Sequence, residues 1–568
     1  MDKLSQELID HITSYFHPYL DKQDLKQMLT VSKAFQYSVE RIVLAHCHLT
    51  EDKADDFLRR YNGERIHYLR YVQFLPTFPM ADGDRNPDVG CREKSDELLE
   101  KDKIFTRQIG VLFRTLKCLE DRAGTGRTRG KLHLTIFAPR RAVKDYPCRH
   151  LACVCWRVHL LHPETLPRLS SIHTLEFKDA VFFYPPQRGY RDPDAFELHA
   201  SSKLDLRILV DLASKITSLR QLTCNFDTYF GGMNSAKEVT RHFSQDWAGP
   251  HRDTRHDFAR LLDSITLSSL ESLNLDFHCS GDKWRDQQKI LPNLIAPQHY
   301  DPFSTSLRVL SYKLKTMILR VTADQTLFWP TDSTTTPCWP NLEYIDVFFC
   351  DHSPSGEEYF QGPQGEGSDT SPGYEITQAH YEPMEANATD RYYDGISTPE
   401  YGCSSDDAQF RIVPIDKTLR PLLVAFAKAA NKMPSLRKAL LRTGLEFCPS
   451  DVYDYYEDLS TEISDAAVAW KLGWGIAYAK PGEDIEMKGI GHKDCASRQF
   501  WWMTQDWRPD ASLHSLFDKI GQFQHGNEAI HHWGSAQGQK WFRGSLFDGL
   551  IERAVNPLPE PKPDYIPV

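Results

Sequence analysis

At 568 residues the chain exceeds the size at which one compact core keeps growing, so a solenoid or two or three domains are expected. Hydrophobic residues at 40% and aromatics at 12% supply a large buried core, while a net charge of -11 and a pI near 6.1 argue against a general nucleic-acid binder or a polybasic membrane protein. No apolar run approaches a membrane span and no basic-then-apolar leader opens the chain, so the expected compartment is the cytosol or nucleus. The 13 cysteines, mostly isolated, fit the thiols of such a reducing compartment.

The first element is a pair of helical stripes. Leu4, Leu8, Ile12 and Tyr15 share one helical face, and Leu25, Met28, Leu29 and Phe35 mark a second. So short a segment cannot bury both stripes by itself and must dock on the rest of the chain or on a partner. The order Leu4-Ser5-Gln6-Glu7-Leu8-Ile9, Ile12, then Asp24-Leu25 and Val31-Ser32-Lys33-Ala34-Phe35 resembles the F-box over residues 2 to 46. Ser5 stands where that family usually has Pro; its hydroxyl can cap the helix instead, with Glu7 at the favourable dipole end. The resemblance implies a helical hook that grips the Skp adaptor of SCF ubiquitin ligases through Leu4, Leu8, Ile9, Ile12, Leu25, Leu29, Val31 and Phe35.

Along the middle of the chain a phrase of the type Leu-x-x-Leu-x-Leu recurs: Leu69/Val72/Phe74, Ile172/Leu175/Phe177, Leu219/Leu222/Cys224, Leu270/Leu273/Leu275, Leu307/Leu310/Tyr312, Leu342/Ile345/Val347 and Leu436/Ala439/Leu441. Short turns such as Leu169-Ser170-Ser171 and Leu267-Ser268-Ser269 feed the strands. Helical stripes precede several of them: Leu206, Leu209, Val210 and Leu212; Phe258, Leu261, Leu262 and Ile265; Leu422, Leu423, Phe426 and Ala429. A helix, a turn and a short strand cannot bury their own apolar face, so neighbouring units must stack. The phrases lie wider apart than the typical leucine-rich interval of about 20 to 29 residues, and no Asn ladder recurs. The expected fold is α/β: an N-terminal helical F-box, then an irregular leucine-rich-repeat-like αβ solenoid, then a C-terminal capping region, with unrelated βα units as the alternative. An F-box followed by irregular repeats looks like a large set of fungal F-box proteins. Leu423 to Leu436 and Gly473-Trp474-Gly475-Ile476-Ala477-Tyr478 resemble their C-terminal portion.

The expected boundaries are 1–46 for the F-box, 47–352 for the solenoid, 353–408 for an acidic disordered insertion, 409–556 for the last repeat and capping region, and 557–568 for a Pro-rich tail. In the insertion twelve acidic residues face Arg391 alone, and periodicity vanishes. Ser371-Pro372 and Thr398-Pro399 have the form of proline-directed phosphorylation sites, and Asn387-Ala388-Thr389 that of a glycosylation sequon without an export signal. After the last repeat, Ala469 to Tyr478 and Gln499 to Trp507 read as strands. Asp510 reads as the N-cap of a helix Ala511 to Ile520 that stops at Gly521, and Trp541, Leu546, Leu550 and Ile551 mark another helix.

Candidate chemistry is thin. Gly124-Thr125-Gly126-Arg127-Thr128-Arg129-Gly130-Lys131 lacks the first phosphate-loop Gly and has Leu132 where the magnesium-binding hydroxyl belongs. Cys148, His150, Cys153, Cys155, His159 and His162 lack the two spaced ligand pairs of structural zinc. His525, His531 and His532 with Asp506 and Asp548 can be assembled on paper into an acid-base site, but their spacing does not require one. Neither G-x-S-x-G nor H-E-x-x-H occurs. The expectation is a non-enzymatic chain with no cofactor or metal: the substrate-recognition subunit of an SCF-type ubiquitin ligase. Its partners are the Skp adaptor, through it the cullin and RING subunits, and an unidentified protein substrate, without nucleic acid or membrane. The alternatives are an F-box protein with a non-degradative role and a leucine-rich-repeat scaffold whose N-terminal hairpin is only a cap.

Overall fold

The computed structural model describes residues 4–16, 22–79, 94–124, 130–141, 157–178, 200–201, 203–225, 247–277, 286–331, 336–385, 387–394, 409–447, 470–483, 485 and 496–534. They fall into two units: the described residues up to Asn225 together with Met384–Asp394, and those from 247 to Pro383 and from 409 to 534. Among the described residues no helix is long and apolar enough to cross a membrane.

The first unit opens with helices α1 (Gln6–Thr13), α2 (Lys22–Met28) and α3 (Lys33–Val43), then strand β1 (His46–Leu49) and α4 (Ala54–Arg60). There follow β2 (Tyr71–Phe74), β3 (Thr77–Phe78), α5 (Ser95–Ala123), β4 (Leu132–Phe137), β5 (Arg140–Arg141), β6 (Ile172–Lys178), β7 (Ala200–Ser201), α6 (Arg207–Ser214) and β8 (Gln221–Asn225). Strands β1, β2, β4, β6 and β8 pair in that order, all parallel. Parallel neighbours need crossover connections, which α5 and α6 supply. The registers align Val72, Leu134, Leu175 and Leu222 in one row and Phe74, Ile136, Phe177 and Cys224 in the next, and every one of these side chains is buried. At the end of α5, Glu120 Oε1 accepts the backbone N–H groups of Ser170 and Ser171 at 2.7 and 2.6 Å, fixing the turn that feeds β6.

The second unit contains α7 (Ala248–Ser264), β9 (Ser272–Asp276), α8 (Pro302–Ser311), β10 (Thr316–Val321), β11 (Tyr344–Phe349), β12 (Phe360–Gln361) and β13 (Val413–Pro414). It continues with α9 (Asp416–Ala430), β14 (Lys438–Phe447), β15 (Trp470–Ala479), β16 (Arg498–Met503), α10 (Ala511–Asp518) and β17 (Ala529–Trp533). Strands β9, β10, β11 and β14 are parallel, β15 runs antiparallel between β14 and β16, and β17 is parallel to β16. Leu273, Met317, Ile345 and Ala439 form one buried row, Leu275, Leu319, Val347 and Leu441 the other. The expected stripes of α6, α7 and α9 lie on helices, with Leu209, Phe258, Leu262, Leu422, Leu423 and Phe426 inside.

Two expectations fail on physical grounds. The phrase Leu307/Leu310/Tyr312 belongs to α8 and its end, not to a strand. Asp301 caps that helix by accepting the Phe303 and Ser304 N–H groups at 3.3 and 3.1 Å, with Pro302 at the first helical position. The strand phrase is Leu314/Met317/Leu319. The insertion expected to be disordered is built into the second unit over its described part up to Pro383. Tyr359 and Phe360 are buried, the Tyr359 hydroxyl donates to the Ala323 carbonyl at 2.8 Å, and β12 pairs antiparallel with β13. Arg411, just past the acidic stretch, donates to the carbonyls of Gln287, Phe360 and Gly367. Residues 386 and 395–408 lie outside the described residues, as do the helix expected around Trp541 to Ile551 and the tail 557–568. Of the two C-terminal strands, β15 matches the expected span and β16 stops short of it, ending at Met503, where the Thr504 hydroxyl closes a turn onto the Trp507 carbonyl. Asp510 caps α10 as expected, accepting the Leu513 N–H at 2.9 Å, and Gly521 has a positive φ of 68°.

Candidate protein-docking face

The N-terminal hairpin is set by its caps and one polar seam. Ser5 Oγ accepts the Leu8 N–H at the start of α1, and Ser32 Oγ accepts the Phe35 N–H at the start of α3. Ile9, Thr13, Leu25, Phe35, Val39 and Leu44 turn inward. Across the seam, Asp10 accepts hydrogen bonds from Gln6 at 2.9 Å, from Arg41 at 3.2 Å and, closely, from the Ser38 hydroxyl. Burial works to raise the Asp10 carboxyl, but the Ser38 and Gln6 bonds and the Arg41 charge together hold it below its ordinary value. Arg65 clasps Glu40 of α3 through two bonds of 3.1 and 2.7 Å, and the Tyr61 hydroxyl donates to the Leu44 carbonyl, so α3 is tied to the chain that follows.

What the hairpin leaves outside includes a set of apolar side chains among polar ones. Leu4, Leu8, Ile12, Leu29 and Val31 are exposed, whereas Ile9, Leu25 and Phe35 are buried. Adjacent residues make the contrast: Leu8 is 52% exposed and Ile9 2%. The eight residues singled out from sequence therefore divide into five on the outer face and three supporting it from within. Tyr15 and Tyr37, also exposed, extend the apolar set beyond those eight. Tyr15 was legible as the next step of the Leu8, Ile12 stripe; Tyr37 was not, because its neighbours on α3 are polar. A single exposed leucine is ordinary; five exposed aliphatic side chains on one short helical segment are more than solvent-facing helices usually carry.

The other groups raised by the sequence do not assemble as written. His531 does not meet Asp506; it meets Asp518, with Nε2 2.8 Å from Oδ1, while His514 Nδ1 lies 3.2 Å from Oδ2 of the same carboxylate. His514 and Asp518, one helical turn apart on α10, were missed, and that spacing was the available signal. Among the described residues these three are the group spaced to hold a metal ion. The Trp502 indole N–H donates to His531 Nδ1 at 3.0 Å, so the His531 proton sits on Nε2, facing Asp518, where a metal would need a lone pair. Asp548 lies outside the described residues, as do Cys148, His150, Cys153 and Cys155. His159 spends its ring on Asp102 and Asp205, away from His162. Residues 125–129 are likewise outside, but the Gly130 and Lys131 N–H groups are already bonded to the Ser170 and Ser171 carbonyls, which takes them from any phosphate.

Compared with family models and with curated proteins, the sequence matches none.

Proposed function

We propose that this chain is a substrate receptor of an SCF-type ubiquitin ligase, docking the Skp adaptor through the outer face of α1 to α3 and holding a protein substrate on the strand-and-helix units that follow. The observation that carries the reading is the division within the F-box-like segment: Leu4, Leu8, Ile12, Leu29 and Val31 face outward while Ile9, Leu25 and Phe35 hold the hairpin together. An F-box needs that split, since a helical cap belonging to its own chain would turn the outer set inward. The parallel strands, which follow chain order within each unit and bury matching leucine rows, support an irregular repeat solenoid as the platform. Function then comes from proximity: the chain raises the effective concentration of substrate near a charged ubiquitin-conjugating enzyme, and other subunits perform the chemistry.

The test is capture of a purified Skp-type adaptor by the intact chain, by Leu8→Asp and by the chain lacking residues 1 to 46. The expected result is capture by the intact chain alone. Equal capture by Leu8→Asp would overturn the assignment. Retained capture with an unchanged substrate half-life on depletion would instead favour the non-degradative role.

A further inference from the structure

We propose that the last described strand, β17, is held by a proton-sensitive latch in which neutral His531 bridges the Trp502 indole and the Asp518 carboxylate. The bridge uses both ring nitrogens in opposite senses. Nδ1 accepts the Trp502 Nε1–H at 3.0 Å, and Nε2 donates to Asp518 Oδ1 at 2.8 Å. Only the neutral imidazole with its proton on Nε2 can make both bonds. A second proton must go to Nδ1, where it would point at the indole N–H, turning an attraction into a clash of two donors.

The surroundings favour the neutral ring. From β16, Phe500 stacks on His531 at 5.0 Å and 8°, and Arg498 places a buried guanidinium nearby. From α10 come Asp518 and His514, whose ring centroid lies 4.6 Å away. From β17 itself come His532, stacked on Trp501, and Trp533, stacked on Trp502 at 5.0 Å and 13°. Arg508 sits over the outer Trp533 ring at 4.6 Å. Asp518 is the carboxylate on the ring, and it is shared with His514. Burial, outweighing the pull of Asp518, keeps His531 below the ordinary histidine value of 6.5.

What the latch releases is equally defined. Arg498 donates to the carbonyls of Asp518, Ile520, Gly526 and Asn527, so the connection from α10 toward β17 is anchored independently of His531. β17, half-exposed along its length, is fastened by its ladder to β16, by the stacks of His532 and Trp533 on Trp501 and Trp502, by His532 Nε2 at 3.2 Å from Gln499 Oε1, and by the His531 bridge, the one of these ties that a second proton on Nδ1 breaks. Acidification should therefore free the strand and leave the loop before it in place. The sign follows from proton binding: a group held below its free value binds more protons once released, so closure weakens as pH falls below about 6.5.

The experiment is amide hydrogen exchange on the full chain between pH 7.5 and 5.0, corrected for intrinsic exchange. The opening constant of amides 529–534 should rise below pH 6.5 by up to about tenfold per pH unit, while amides of β14 stay constant. His531→Phe should abolish the dependence, and Trp502→Phe, which removes the donor that opposes a second proton, should leave its onset near pH 6.5 and reduce its size. Pulse-labelling the unmodified chain keeps the test valid if either variant fails to fold. A pH-independent opening of 529–534, or an unchanged response in His531→Phe, would overturn the latch. So would stoichiometric zinc binding at pH 7.5 that Asp518→Asn abolishes, because it would require a lone pair on Nε2.

Discussion

Arg442 on β14 meets Asp346 on β11 through two parallel bonds, Nε to Oδ1 at 2.8 Å and Nη2 to Oδ2 at 2.7 Å, with both side chains almost wholly buried. A buried pair of this kind contributes little net stability when whole and costs a great deal when halved. Arg442→Ala should therefore destabilise the chain by about 3 to 5 kcal/mol, whereas the double replacement Arg442→Met with Asp346→Leu should recover most of that loss. Chemical denaturation of the three proteins measures both; equal losses in single and double variants would mean the pair matters for its shape and not for its charge.

The docking face yields a contrast between neighbours. Leu8→Asp and Ile12→Asp should leave thermal unfolding unchanged and weaken adaptor capture by about 2 to 5 kcal/mol, because the new charge is desolvated only in the complex. Ile9→Asp should instead unfold the hairpin, since its side chain is already inside. Circular dichroism together with adaptor titration separates the outcomes.

Asp324 gives a pH dependence of the opposite sense to that of the salt-bridged acids. Burial first, then the charge of Asp301, pushes its carboxyl up to about 7 from 3.8. A raised acid favours the folded state fully below its unfolded value and progressively less as pH rises, so stability should fall between about pH 4 and 7, by up to about 1.4 kcal/mol per pH unit. Asp324→Asn keeps an oxygen for the Thr326 N–H and removes the charge. It should raise the melting temperature at pH 8 by roughly 2 to 4 °C per kcal/mol recovered and change little at pH 4.5. No difference at pH 8 would show that the carboxyl ionises without cost.

Asp10 runs the other way. Its carboxyl is held below the ordinary value of 3.8, so its contribution to docking α1 on α3 is present above that pH and is lost as pH falls through the lower folded value. Ser38→Ala removes one of the bonds responsible and should shift acid unfolding of the hairpin to higher pH, read by the amides of α1.

The former acidic loop can be tested by truncation. Phe360→Ala should cost about 3 to 5 kcal/mol, and replacing residues 352–409 with a Gly/Ser linker should lower the melting temperature by many degrees. Leu273→Ala should cost roughly 2 to 5 kcal/mol, while Asn274→Ala, on the opposite side of the same strand, stays within about half a kcal/mol. Equal costs at 273 and 274 would mean that the strand does not present one face preferentially to the core.

Much of this was legible where one residue type repeats at a fixed offset. The leucine phrase marked the inward side of every strand it fell on, because the period of two is enforced by the pleat. It misled at Leu307, where a three-residue step suits a helix as well, and the Asp301-Pro302 start that decides the matter was passed over. In the segment after residue 352, average composition dilutes two buried aromatics among many acids and omits the Arg411 that answers them from outside. The His514, Asp518 and His531 cluster was hidden for another reason: its members come from a helix and a strand, and only the fold brings them together.

Within each unit the order of strands in space repeats their order in the chain. Each new strand of the sheet therefore pairs with a strand already synthesised, so the sheet can be extended from one end as the polypeptide emerges. It also makes the units tolerant of additions: a stretch as long as that between β11 and β14 can leave and return without altering which strands are neighbours. Surface variety is thus available between strands while the buried rows stay fixed.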